Sequence, residues 1–262
     1  MAAEDNPPII GTAVQAWGDA FRAIAAMPAL AGAVLAIQLI IGGASFLLMP
    51  DPLTMTDGIG PMFHLLAIAT GVVQSFLVAP LAIAVHRYVL LGETTNRYSL
   101  DPSSPRYLRF VGFAVLVSLI WSVPNLIGSF LPSGKQASMS GGILTFVFFI
   151  IVAVITTRRA ILFPAIAVDA PGATWRNARN DTKGHSWRVA FTFVCAAVPI
   201  IVVTMPLTFL FLMPSGMGTP GRIAYAIISP VMQVLTICAF AAAASHLYRA
   251  FATNLQRPSG AI

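Results

Sequence analysis

Charge is scarce in this chain: Asp, Glu, Lys and Arg together make up 9% of its 262 residues. A soluble domain carries about 25%, so a water-facing surface over most of the molecule is excluded. Cysteine is nearly absent. Cys195 and Cys238 show neither the spacing of a metal site nor that of a disulfide framework. Catalytic signatures are missing as well, with no His-Glu-x-x-His, Gly-x-Ser-x-Gly or Gly-x-Gly-x-x-Gly. The stretch from Gly128 to Gly134-Lys135 imitates a phosphate loop. It holds one residue too many between the glycines, and Gln136 stands where Ser or Thr should bind magnesium. The first residues, 1–8, are acidic and polar and lack the basic region and short apolar core of a cleavable signal, so none is expected. No catalytic residue, cofactor or metal ion is expected either.

What the chain does have is length of apolar sequence. Hydrophobic residues make up 57% and mean hydropathy is +0.83. Apolar runs near 28–49, 63–87, 110–131, 142–163, 189–213 and 222–248 each approach or exceed the roughly 20 residues that cross a bilayer core as a helix. The loops between them are too short for a separate soluble domain. The expected fold is therefore all-α: one polytopic domain over 1–262, a six-transmembrane-helix bundle. When the runs are threaded alternately through a membrane, every Lys and Arg except Lys135 and Arg222 falls on one side. Positive charge near span ends sets orientation, so that side is cytoplasmic and both termini lie there. The +6 formal charge then points to anionic head groups of the cytoplasmic leaflet as partners, not to nucleic acid. Asn180-Asp181-Thr182 matches a glycosylation sequon but falls on that same face.

A helix over 9–27 precedes the first span. Ile10, Val14, Trp17, Phe21 and Ile24 form a helical stripe with Gln15, Asp19 and Arg22 opposite. The stripe fits a helix lying in the membrane interface, or equally one packed on the bundle. Neither span 1 nor any later span carries a mid-membrane charge, which counts against proton relays and ion-coupled transport. Polar but neutral groups remain. Gln38, Gln74 and Gln233 sit near the midpoints of spans 1, 2 and 6, and Asn125 lies in span 3. These amides either hydrogen-bond between helices or line a polar cavity. Pro80, Pro124, Pro199, Pro206 and Pro230 interrupt spans, each depriving a carbonyl one turn earlier of its partner.

The most individual segment joins spans 4 and 5. Arg158-Arg159 is followed by Phe163-Pro164, Asp169-Ala170-Pro171-Gly172, Trp175-Arg176, Arg179, Lys183-Gly184-His185 and Trp187-Arg188. Arg158, Arg159, Trp175, Arg176, Arg179, Lys183, Trp187 and Arg188 are candidate contacts for anionic lipid. The alternative is a topology signal with interfacial Trp anchors.

Through Arg159, Phe163-Pro164-Ala165, Val168, Trp175-Arg176, Lys183-Gly184 and Trp187-Arg188, the chain resembles a bacterial family of six-span membrane domains. That family is best known fused to glycerophosphodiester phosphodiesterases and includes stand-alone members. The Trp17-Phe21 helix and the Tyr248-Arg249 end of span 6 look similar too. The resemblance implies a bacterial inner-membrane bundle without catalytic residues of its own, because the phosphodiester chemistry of fused members belongs to the appended soluble domain. What it carries over is an association with lipid or envelope metabolism.

Two functions follow from different features. One is a non-catalytic protein that organises lipid or partner proteins through its basic inner face; it predicts a sealed core and a distinctive surface around Arg176, Arg179 and Arg188. The other is a transporter or channel for a neutral or lipid-like solute, which predicts a mid-membrane cavity lined by Gln74, Gln233 and Asn125. An enzyme would require His86 and His246 to converge with another ionisable group.

Overall fold

The computed structural model describes residues 7–48, 61–129, 135–212 and 218–257, and within these no strand occurs. The helices are α1 (Ile9–Ala26), α2 (Pro28–Leu48), α3 (Pro61–Leu91), α4 (Pro105–Ser129), α5 (Lys135–Thr157), α6 (Leu162–Ala167), α7 (Trp175–Asp181), α8 (Ser186–Leu212) and α9 (Gly218–Phe251), with a 3-10 turn at Asn254–Gln256. Five stretches are long and apolar enough to cross a membrane: Leu65–Leu91, Pro105–Val123, Ile143–Ala167, Ser186–Thr208 and Ile223–Phe251. The sixth expected span is α2, which qualifies only together with α1, a pair bent by 98°. The protein is thus a polytopic helical membrane bundle.

The bend at Met27 has a local cause. A residue preceding proline is pushed out of the α region, and Met27 sits at φ −130°, ψ 54° immediately before Pro28. With α2 along the membrane normal, α1 lies close to the membrane plane. Its packing face differs from the stripe of large residues. Ala13, Ala16, Ala20 and Ala23 are buried against α8 and α9, while Ile10, Val14 and Phe21 are 72, 65 and 54% exposed. Small side chains win the packing face because they let backbones approach closely. On α9 the opposing surface is just as small, with Ala239 and Ala241 to Ala244 all buried. Trp17 and Ile24 are the exceptions in the large stripe, both partly buried against the bundle, and Trp17 Nε1 donates to Ala196 O of α8 at 3.0 Å. The bundle contact of α1 thus falls mainly on its alanine face and not on the large stripe as a whole.

Helix α9 is the hub, packing on α1, α2, α3, α6 and α8, while α4 lies between α3 and α5. Pro80, Pro199, Pro206 and Pro230 are accommodated inside continuous helices, as membrane helices allow when neighbours satisfy the freed carbonyls. The 50–60 turn and the side chains of Pro124 and Asn125 lie outside the described residues. Two boundaries differ from the sequence reading. Residues 135–142, expected as part of an outer turn, are helical in α5. At the inner end, α5 tightens through i→i−3 bonds (Arg159 N to Thr156 O, Leu162 N to Arg159 O, Phe163 N to Ala160 O) before resuming as α6. Pro164 explains the change, since it has no N–H for Ala160 O and its ring crowds that carbonyl.

Candidate functional site

The end of the bundle that the sequence reading takes as the inner face is built around the 158–188 segment and the 253–257 turn. Thr174 caps α7 by accepting from Asn177 N at 3.3 Å. Asp181, 7% exposed, closes the helix and accepts five hydrogen bonds from the C-terminal turn. The donors are Thr253 N (3.0 Å) and Oγ1 (2.9 Å), Asn254 N (3.0 Å) and Nδ2 (2.6 Å), and Leu255 N (3.0 Å). Gly172 completes the seat: its N donates to Leu255 O at 3.1 Å, and a Cβ there would lie 2.2 Å from Asn254 O. His185 stacks on Phe251 at 4.8 Å, beside Gly184 with φ +87°.

Arginines of this face fall into two groups. One group ties elements together through hydrogen bonds. Arg87 donates to Ala167 O at 3.0 Å and pairs with Glu93 at 2.8 Å. Arg106 holds Asp169 at 2.7 Å, and Arg109 donates to Ala173 O at 2.8 Å. Arg249 donates to Val89 O. Arg159 donates to Ile155 O at 2.7 Å and lies 4.1 Å over the Trp175 ring, which in turn meets Phe113 edge-on at 5.7 Å. Arg158 donates to Ser186 Oγ at 2.8 Å.

The second group faces outward. Arg176, Arg179 and Lys183 are exposed, Arg188 is half-exposed, and among the described residues none of their side chains has a hydrogen-bond or ion-pair partner. Trp187 is 74% exposed beside them. Of the eight candidate lipid contacts, then, the structure leaves Arg176, Arg179, Lys183, Trp187 and Arg188 available, and it occupies Arg158, Arg159 and Trp175 with packing and hydrogen bonds.

The 92–104 loop walls a second polar cavity of about 260 Å³ between the inner ends of α3 and α4. Its charges largely cancel: Arg87 meets Glu93 and Arg106 meets Asp169. The Ser103 hydroxyl, 2.6 Å away, holds the Asp101 carboxyl below its ordinary pKa. Burial pushes the Tyr98 phenol up, and its hydroxyl donates to Leu77 O at 3.1 Å.

In the membrane the structure brings all three glutamines together. Gln233 Nε2 donates to Gln74 Oε1, and Gln74 Nε2 donates to Gln38 Oε1, each at 3.4 Å. This amide chain links α9, α3 and α2. Gln38 is 1% exposed, and its own Nε2 has no partner. A cleft of about 380 Å³ between α8 and α9 reaches Gln233, but neither Gln74 nor Gln38 lines it.

The histidines do not converge. His246 Nε2 meets Asp19 Oδ2 at 2.7 Å, and Asp19 also holds Arg22 at 2.7 Å, fastening α1 to α9. His86, buried, pairs with Ser245 at 2.8 Å. Ser245 Oγ also lies 2.9 Å from Ala241 O, so the pair is tied into the backbone of α9. The ends of α3 and α9, at His86-Arg87-Tyr88 and His246-Leu247-Tyr248-Arg249, lie side by side.

Sequence reasoning missed Asp181 and Asp19 as the anchoring carboxylates. A carboxylate in a chain this poor in charge was the available signal for both. Comparison with known proteins finds no matching family model, no similar curated protein and no similar solved structure.

Proposed function

We propose that this chain is a non-catalytic protein of the bacterial inner membrane, with cytoplasmic termini, that gathers anionic lipid and, through it, partner proteins at its inner face. One observation carries the reading. The 158–188 platform is locked by Asp181 and the hydrogen-bonded arginines, yet Arg176, Arg179, Lys183 and Arg188 are left uncompensated beside the exposed Trp187. A rigid set of free cations with an aromatic anchor suits the phosphate layer of a membrane. The position of α1 supports the same placement. Its contact at Ala196 lies ten residues into α8, roughly 15 Å from the start of that helix. With α1 sunk at the acyl boundary, the platform stands outside it, toward the head groups. The family resemblance carried by Arg159, Trp175-Arg176 and Trp187-Arg188 points the same way. Passage of a neutral solute along the glutamine layer is weaker, because the amides bond to one another.

Lipid co-purification tests the reading. Protein is reconstituted in phosphatidylcholine and phosphatidylglycerol, then re-extracted, and its retained lipid is quantified. Each surface cation contributes about 1 kcal/mol, so Arg176→Ala with Arg179→Ala should lower phosphatidylglycerol retention roughly 30-fold. Gln74→Leu with Gln233→Leu should leave it unchanged. Equal retention in the arginine variant and the wild type would defeat the reading.

A further inference from the structure

The cleft between α8 and α9 has a lining that the inner-face reading does not use. Thr204, Thr208, Tyr225, Ser229, Gln233 and Thr236 bring hydroxyl and amide groups into it, and among the described residues no Asp, Glu, Lys, Arg or His lines it. The protons of its three threonines are committed elsewhere. Thr204 donates to Ile200 O at 2.9 Å, Thr208 to Thr204 O at 2.9 Å and Thr236 to Met232 O at 2.6 Å. Gln233 Nε2 is turned away to Gln74. What these groups still offer is mainly acceptor capacity, the remaining lone pairs of the three threonine hydroxyls and Gln233 Oε1, beside the Ser229 hydroxyl, which can donate as well as accept.

Such a wall selects by elimination. An anion would meet oxygen lone pairs and, among the described residues, no cation. An ammonium group would find no carboxylate to balance it in a low-dielectric setting. A neutral ligand rich in O–H donors is matched. The volume, about 380 Å³, is at the small end of ligand pockets. Val203 and Ile227 beside the cleft are exposed, and in a bilayer that places hydrocarbon at its mouth.

We propose that the α8–α9 cleft binds the uncharged hydroxyl head group of a membrane lipid, of the diacylglycerol kind, with its acyl chains leaving toward the bilayer. The glutamine chain then has a second consequence: by holding Gln233 Nε2, Gln74 keeps the Oε1 of Gln233 as the acceptor for this head group.

Photolabelling in phosphatidylcholine nanodiscs tests this with two diazirine probes, a diacylglycerol and a triacylglycerol carrying the same acyl chains. The hydroxyl-bearing probe is expected to label α8 and α9 peptides about tenfold more than the triacylglycerol, the yield of one lost hydrogen bond. Thr204→Val with Thr236→Val keeps side-chain shape and removes two acceptors, and should bring the two probes level. Excess unlabelled diacylglycerol should displace the label, whereas glycerol should not. Equal labelling by both probes in the wild type would overturn the proposal, leaving a bed for acyl chains alone. This arm needs no variant to fold. Displacement by free glycerol would overturn the lipid assignment in favour of a soluble polyol. Loss of inner-face lipid retention leaves this result untouched, so the two proposals fail independently.

Discussion

Replacing Asp181 with alanine should release the C-terminal turn while leaving the membrane bundle folded. The carboxylate accepts from three backbone N–H groups and two side chains of Thr253, Asn254 and Leu255. Hydrogen bonds to a charged group contribute about 1.5–3 kcal/mol each, so a simple sum over five exceeds 7 kcal/mol on the order-of-magnitude scale. That sum is a ceiling. Once detached, the turn exposes its donors to water and recovers most of their energy, so the loss cannot exceed what docking was worth. Leu255, fully buried, adds about 1.5–3 kcal/mol of apolar burial that resists release. The contacts from Gly172 N and Asn177 Nδ2 also persist. A net local cost of about 3 kcal/mol follows, which corresponds to more than 100-fold faster exchange of the Thr253, Asn254 and Leu255 amides. Hydrogen exchange read by mass spectrometry on the C-terminal peptide measures it directly. Peptides from α3 and the inner half of α9 serve as controls and should keep their protection. Unchanged exchange at the turn would refute the claim that Asp181 holds it; collapse of the whole bundle would refute the claim that the effect is local.

Three other substitutions probe separate parts of the argument. Gly172→Ala places a Cβ 2.2 Å from Asn254 O and should free the same C-terminal turn even with Asp181 intact, detectable as new cleavage by carboxypeptidase; continued resistance would contradict the packing. Gln74→Leu strands Gln38 Oε1 and Gln233 Nε2 and should lower stability by about 0.6–1.7 kcal/mol, the range for amide contacts between membrane helices, measured by denaturation in mixed micelles. On α1, Ala16→Leu should cost about 1–3 kcal/mol or displace the helix, because the site is fully buried against small residues. Phe21→Ala, on the exposed stripe, should stay within about 0.5 kcal/mol in detergent. If the two rank in reverse order, α1 packs by its large stripe instead.

Much of the architecture was legible because membrane helices announce themselves through length. The meeting of Gln38, Gln74 and Gln233 was also readable, since amides at one depth in hydrocarbon need partners and find them in each other. Less legible was the choice of packing face on α1. Periodicity identifies an apolar stripe, but it does not say that a neighbouring helix offers only alanines and so prefers an alanine partner. The inner-face arginines were equally opaque as individuals. Arg159 and Arg176 look alike in sequence, yet one lies on Trp175 and the other faces outward.

By itself the sequence determined the number of apolar runs and the side on which charge collects, since bilayer thickness and the cost of moving cations act on each segment separately. Tertiary structure alone decided which cations stay free, that Asp181 clasps residues 253–255 across more than seventy positions of chain, and that the threonines of α8 and α9 share one cleft. Those outcomes depend on distances between segments remote in sequence, and no local preference encodes them.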